Sequence, residues 1–272
     1  MERKEAIRGT AIVTGASAGL GKIYADRLAK QGYDLILVAR RKDRLEELAK
    51  RLTNLYGIQT EALVADLSLT EDVNRVAERI AHDSSVVFLV NNAGTSKLGP
   101  TQNSQMADEH AMIQVNVVAL TRLTVTALRG FRERDRGTII NVGSILGFQG
   151  IPMSSVYSGT KSYVLGFTRS IQDELEGTGV VVQLVAPAAT ATDIWEIAGV
   201  PLSNLDPATV MTAEDCVDSS MAGLALGERV TLNSVEDLSL LGDVHSACQN
   251  LLRASQTGRP ASRYKLEPEA NA

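Results

Sequence analysis

Short runs of β-branched residues separated by longer helical stretches, repeated from residue 11 onward, constrain this chain more than any other feature. Such alternation is the mark of a parallel sheet buried on both faces by crossover helices. The spacing predicts strands at 11–14, 34–39, 59–64, 86–90, 137–142 and 180–185, with a weaker seventh at 230–232. Helices are predicted at 20–31, 42–56, 70–82, 107–132, 155–176, 213–226 and 235–254. The expected fold class is α/β: a Rossmann-type, doubly wound parallel sheet of about seven strands with helices on both faces. No Pro, Gly or Ser-rich linker divides the 272 residues, and no repeat is evident, so one domain is expected over 1–272. Residues 188–212, with three prolines in or just before them, form the expected lid, and the tail 257–272 is expected to fray.

The net charge of −5 argues against a general binder of nucleic acid or anionic membranes. No apolar run reads as a bilayer span, and MERKEAIRGTAIVTG has no apolar stretch before a cleavage site. Cys216, Cys248 and three scattered histidines lack metal-ligand spacing, so no metal and a reduced, cytoplasmic setting are the expectations.

The first predicted strand runs into Gly15-Ala16-Ser17-Ala18-Gly19-Leu20-Gly21 and then a helix. Glycines there allow close backbone approach, and helix N-terminal amides attract a pyrophosphate. The spacing differs by one residue from the common G-x-G-x-x-G fingerprint. Arg40 and Arg41 stand where NAD-specific folds carry a carboxylate for the ribose 2′-hydroxyl, which favours NADP(H). Asp66, followed by Leu67, is placed either to accept the adenine amino group or to cap the next helix. Asn92, Ala93 and Gly94 would let backbone lie beside an adenosine, and asparagines there could tie adjacent strands together.

Ser144 follows the fifth strand, and Tyr157 and Lys161 lie one helical turn apart on a common face. A phenol becomes a useful acid or base at neutral pH when a nearby positive charge stabilises its phenolate. Taken singly, Tyr-x-x-x-Lys is as consistent with a surface pair.

The ordered set TGASAGLG (14–21), NNAG (91–94), Asn116, Ser144 and YSGTK (157–161) resembles the short-chain dehydrogenase/reductase family in its single-domain form. The resemblance implies a nicotinamide cofactor and a tetrad. In it Tyr157 is the acid/base, Ser144 orients the substrate oxygen, Lys161 binds the nicotinamide ribose and depresses the tyrosine pKa, and Asn116 holds a water. It also implies nicotinamide contacts by Pro187, Thr190 and Thr192, and homodimers or homotetramers built through the two long helices, whose apolar faces could equally be core. Two departures stand out: Ala188 replaces the usual glycine after Pro187, and the chain closes in an amphipathic helix rather than a glycine-rich strand.

The expectation is an NADP-dependent oxidoreductase interconverting a ketone or aldehyde and an alcohol by hydride transfer. A catalytically silent nucleotide sensor or scaffold is the alternative, and a sugar-nucleotide epimerase leaves too few residues for its substrate domain. Leu146 and Trp195 are expected to line the substrate, with Phe148, Ile151 and Met153 on one wall. Ile194, Ile197, Val200, Leu202 and Leu205 belong either to the other wall or to a subunit contact.

Overall fold

Seven strands form: β1 (Thr10–Thr14), β2 (Asp34–Ala39), β3 (Thr60–Val64), β4 (Val86–Asn91), β5 (Gly137–Val142), β6 (Val180–Val185) and β7 (Val230–Thr231). All pair in parallel, in the order β3-β2-β1-β4-β5-β6-β7. The order reverses between β1 and β4, and in such sheets a crevice opens there at the carboxyl ends of the strands. The computed structural model describes residues 8–265.

Alternate residues of each strand feed opposite layers. Ala11, Val13, Leu35 and Leu37 pack with α1 (Gly19–Lys30), α2 (Lys42–Tyr56) and Val217. Ile12, Ile36, Val38, Leu89 and Ile139 pack instead with α3 (Thr70–Ala81), with Leu123, Ala127 and Phe131, and with Ile171. Helix α2 shows why the chain turns where it does. Leu45, Leu48, Ala49 and Leu52 recur at helical spacing and are buried, and Gly57, at φ +69°, ends the helix in the left-handed region.

The long helix expected at 107–132 is divided. It comprises α4 (Met106–Ile113), a wide π-type turn at Gln114–Ala119 and α5 (Leu120–Glu133). Taken together, Met106–Glu133 is long and apolar enough by composition to cross a membrane, which the sequence reading did not register. Its buried residues Met112, Ala119, Leu123, Ala127 and Phe131 are those of a core helix against the sheet. Helix α6 (Ser155–Glu174) follows β5, and the segment 188–212 holds α7 (Ile194–Ala198) and two short 3₁₀ turns. Helix α8 (Ala213–Ala225) starts at a Thr212 cap, whose hydroxyl accepts the Asp215 N–H at 3.0 Å.

Contacts group the chain into one unit ending at Asn233 and a second beginning at Ser234, whereas the sequence reading took 1–272 as one domain. The physical difference lies in α9 (Ser239–Ser255), which has no buried residue and exposes Leu240, Val244, Leu251 and Leu252. It starts four residues later than expected, where the Asp237 carboxylate accepts the Ser239 N–H at 3.0 Å. Of the tail expected to fray, 257–265 are described, with a 3₁₀ turn at Ser262–Tyr264, and 266–272 lie outside the described residues. Residues 1–7, which carry much of the charge read against a leader, also lie outside them.

Candidate active site

A cavity of about 780 Å³ opens along the carboxyl edge of the sheet. Every residue expected to act in catalysis or hold the cofactor lines it except Gly21 and Asn116, which stand just behind its wall. At one end the chain leaves β1 through Gly15 (φ +68°) and enters α1 through Gly19 (φ +50°). A Cβ on Gly21 would overlap the Gly15 carbonyl oxygen, so this turn can close only with glycine there. Helix α1 has no side-chain cap, which leaves its first amides directed outward as an anion cradle.

Thr14, which sequence reasoning passed over, holds the loop to its neighbour. Its hydroxyl donates to the Val90 carbonyl at 3.2 Å and accepts the Asn92 and Ala93 N–H groups, each at 3.0 Å. Asn92 Nδ2 donates back to the Thr14 carbonyl at 2.9 Å. One strand over, Asn91 Nδ2 donates to Asn141 Oδ1 at 2.9 Å and to Thr124 Oγ1 at 2.8 Å, while Asn141 Nδ2 donates to Thr168 Oγ1 at 3.0 Å. The asparagines thus tie β1 to the β4 loop and β4 to β5.

Past β2, Arg40 is exposed with Nη1 3.9 Å from Asp66 Oδ2. The Asp66 carboxylate accepts the Ser68 N–H at 2.9 Å and the Ser68 hydroxyl at 2.7 Å, a local turn that leaves the α3 N-cap, at Leu69, without a side-chain acceptor. Of the two readings of Asp66, the helix cap is therefore not made. Arg41 Nε donates to Ser17 Oγ at 3.2 Å, which places a guanidinium against the glycine loop.

At the other end, Ser144 follows β5 with its hydroxyl accepting the Leu146 N–H at 3.1 Å. The Ser144 hydroxyl lies close enough to the Tyr157 phenol to act on its pKa, drawing it down. Lys161 is buried, donates to the Val142 carbonyl at 2.9 Å, and lies 5.6 Å from the Tyr157 ring centre. Tyr157 opens onto the cavity, yet burial pushes its pKa up to about 12 even with the Ser144 hydroxyl acting downward. Lys161 is not among the causes of that shift; the expected depression belongs to the amine acting together with an oxidised nicotinamide. The ammonium makes its hydrogen bond to a backbone carbonyl rather than to the phenol, so loss of water around the hydroxyl dominates. The same burial pulls Lys161 down to about 8.

Asn116 lies on the π-type turn, and its amide pairs with one residue in both directions. Oδ1 accepts the Thr95 N–H and Nδ2 donates to the Thr95 carbonyl, each at 2.9 Å. A third bond runs from Nδ2 to Thr160 Oγ1 at 3.1 Å. A Cβ on Gly94 would lie 3.4 Å from Asn116 Oδ1 and 3.8 Å from Lys161 Nζ, so these two polar groups flank Gly94. The four tetrad residues thus come together around the carboxyl ends of β4 and β5.

The Pro187 carbonyl accepts the Ile145 N–H at 3.0 Å, which fixes the start of the segment 188–212 beside Ser144. Ala188 carries no strain, since among the described residues only Asp135, Met153 and Lys265 combine a side chain with positive φ. Thr192 packs over the glycine loop, 3.3 Å from where a Gly19 Cβ would sit. The Thr190 hydroxyl turns inward, donating to the Ala188 carbonyl at 3.2 Å, while Trp195 Nε1 donates to the Thr190 carbonyl at 2.9 Å. Leu146, Ile151, Ile194, Trp195 and Ile197 line the cavity. Phe148, Met153, Val200, Leu202 and Leu205 are not among its lining: Leu202 sits in a 3₁₀ turn beyond Pro201, and Met153 is exposed at φ +68°.

Residues 9–199 match the family model of short chain dehydrogenases. The chain belongs to the short-chain dehydrogenase/reductase family. Among its solved relatives, a short-chain dehydrogenase from Sphingobium yanoikuyae in complex with NADPH superposes with TM-score 0.91 and 36% identity, over 94% of this chain and 100% of that one. A bulky-bulky ketone specific alcohol dehydrogenase from Comamonas testosteroni gives TM-score 0.87 and 31% identity, over 95% and 99%. The very-long-chain 3-oxoacyl-CoA reductase of Anas platyrhynchos is 33% identical over 207 residues, 75% of this chain and 66% of that protein. The Mus musculus protein described by the same words is 30% identical over 240 residues, 87% and 74%. The chain spans about two thirds of the length of the first such relatives. As a short-chain dehydrogenase/reductase it is an oxidoreductase of CH–OH and carbonyl groups, and the family uses NAD(P).

Proposed function

We propose that this enzyme uses NADP(H) to interconvert an uncharged, bulky ketone and its secondary alcohol. The observation that carries the reading is that Ser144, Tyr157 and buried Lys161 line one cavity together with the apolar side chains of Leu146, Ile151, Ile194, Trp195 and Ile197. When bound, the cofactor supplies or accepts the hydride. Ser144 holds the substrate oxygen, and Tyr157 gives its proton to that oxygen in reduction and takes it back in oxidation. A phenol at about 12 keeps its proton at neutral pH, which suits the acid role. Lys161, near 8, is mostly an ammonium at pH 7 and can pass a proton toward the phenol.

The cofactor end supports NADP(H). The uncapped start of α1 suits the pyrophosphate, while Arg40 and Arg41 suit a 2′-phosphate. The substrate end supports an uncharged molecule. The charged lining residues Arg40, Arg41, Asp66 and Asp193 all lie by the glycine loop or the ends of β2 and β3, and Lys161 is enclosed, so among the described residues the apolar wall offers no free cation for a carboxylate or the phosphates of an acyl-CoA. The bulky-bulky ketone specificity of the Comamonas relative points the same way. We further propose that copies pair through the exposed faces of α4, the π-type turn and α6, where Ile113, Val118 and Tyr163 lie.

Two measurements test the function. Tyr157→Phe should bind NADPH normally and lose at least about 100-fold in turnover, the usual contribution of a placed acid. Unchanged turnover removes Tyr157 from the role. A panel of carbonyls should favour ketones carrying large apolar groups on both sides over acyl-CoA thioesters, and the opposite preference would refute the substrate class.

A further inference from the structure

Asp193, the last residue before α7, places its carboxylate against two guanidinium groups of α2's start. Its Oδ2 lies 3.6 Å from Arg41 Nη1 and 3.9 Å from Arg44 Nη1. Arg41 is at the same time the donor to Ser17 Oγ on the glycine loop, and Ser17, Arg41 and Asp193 all face the cavity. Two guanidiniums and a hydroxyl gathered round one acceptor is how proteins hold a phosphate. Here the acceptor in reach of both arginines belongs to the segment 188–212.

We infer that Asp193 is a specificity-determining residue: an internal anion that competes with the cofactor 2′-phosphate for Arg41 and Arg44, and so restrains the preference for NADP(H) over NAD(H). The inference rests on the reading of Arg41 as a 2′-phosphate ligand. NAD(H), with a hydroxyl at that ribose position, leaves the Asp193 contacts intact. A 2′-phosphate cannot share the arginines with a carboxylate without like-charge repulsion. Its binding therefore also frees the residue just before α7, while the neighbouring Thr192 stays packed over Gly19. The three charged side chains are all largely exposed, so their pairing adds little to stability. Its effect is on what else those arginines can hold.

The test compares 2′,5′-ADP with 5′-AMP, two probes without nicotinamide that differ by the phosphate in question, titrated calorimetrically into the full chain. Asp193→Asn should bind 2′,5′-ADP about two- to fivefold more tightly, the scale of one exposed ion pair. Its affinity for 5′-AMP should not change, and Asp193→Glu should behave as the parent. The gain should fade in high salt, where exposed charges are screened. Equal tightening for both probes, or none for 2′,5′-ADP, overturns the role of Asp193. Failure of the underlying reading shows separately: Arg41→Ala would then bind 2′,5′-ADP as well as the parent does.

Discussion

Replacing Lys161 with methionine separates what the buried amine costs the fold from what it does in the site. The side chains are of similar length, but only lysine carries a charge and the bond to the Val142 carbonyl. Burial lowers the lysine pKa from 10.5 to about 8. At about 1.4 kcal/mol per unit, holding the ammonium inside costs the parent about 3 kcal/mol at pH 7. A base with a lowered pKa holds fewer protons folded than unfolded between those two values, so stability rises with pH through that window. At pH 9.5, one unit below the unfolded value, the burden is about 1 kcal/mol. The methionine variant has no such dependence, and loss of the hydrogen bond costs it about 1 kcal/mol at either pH. It should therefore be more stable than the parent by about 2 kcal/mol at pH 7 and close to equal at pH 9.5. Urea unfolding at the two pH values and one ionic strength measures this difference, with groups common to both chains cancelling. A variant less stable at pH 7, or a difference that does not move with pH, would refute the burial argument. Turnover should collapse in both cases.

The remaining predictions concern the frame of the site. Gly21→Ala forces backbone apart at the β1–α1 turn, so the variant should lose nucleotide binding in a titration with NADPH; retained affinity would contradict the overlap with the Gly15 carbonyl. Asn141→Ala removes the bond to Thr168 and strips Asn91 of one partner, which should cost about 2 kcal/mol and lower the melting temperature by roughly 4–8 °C. A shift under about 1 °C would mean the buried asparagines contribute nothing net. Arg40→Ala should raise the KM for NADPH several-fold more than that for NADH, and equal changes would count against a 2′-phosphate contact at Arg40.

Much of this architecture is legible in the order of residues because each strand is a local event. A run such as LILVA can be buried on both faces only inside a parallel sheet, and all seven predicted strands form with ends shifted by at most one residue. Glycine spacing likewise reports a backbone constraint at the place where it acts. What stayed hidden depends on residues distant in the chain. The pairing of Asp193 with Arg41 and Arg44 joins positions some 150 residues apart, and the catch of Thr14 on the β4 loop spans 78. Nothing in the hydrophobic pattern of 107–132 marks a change of winding at Gln114, since the apolar residues are dense enough to satisfy either period. The hydrogen bond of Lys161 stayed hidden for a related reason. Spacing fixes that lysine and tyrosine share a helix face, but the Val142 carbonyl, which takes the ammonium's hydrogen bond, comes from β5.

The wide turn at Gln114–Ala119 acts as a phase shifter in a 28-residue rod. Each residue of an α-helix advances about 100° around the axis, so the one turn sets independently which sides of the leading and trailing segments meet the protein. Deleting a single residue there would let the rod wind evenly and rotate Met106–Ile113 by about that angle relative to Leu120–Glu133. Met112 would swing out of the interior, or Asn116 would lose its two-way grip on Thr95. Length at this point is therefore held as firmly as residue type, although no side chain announces it.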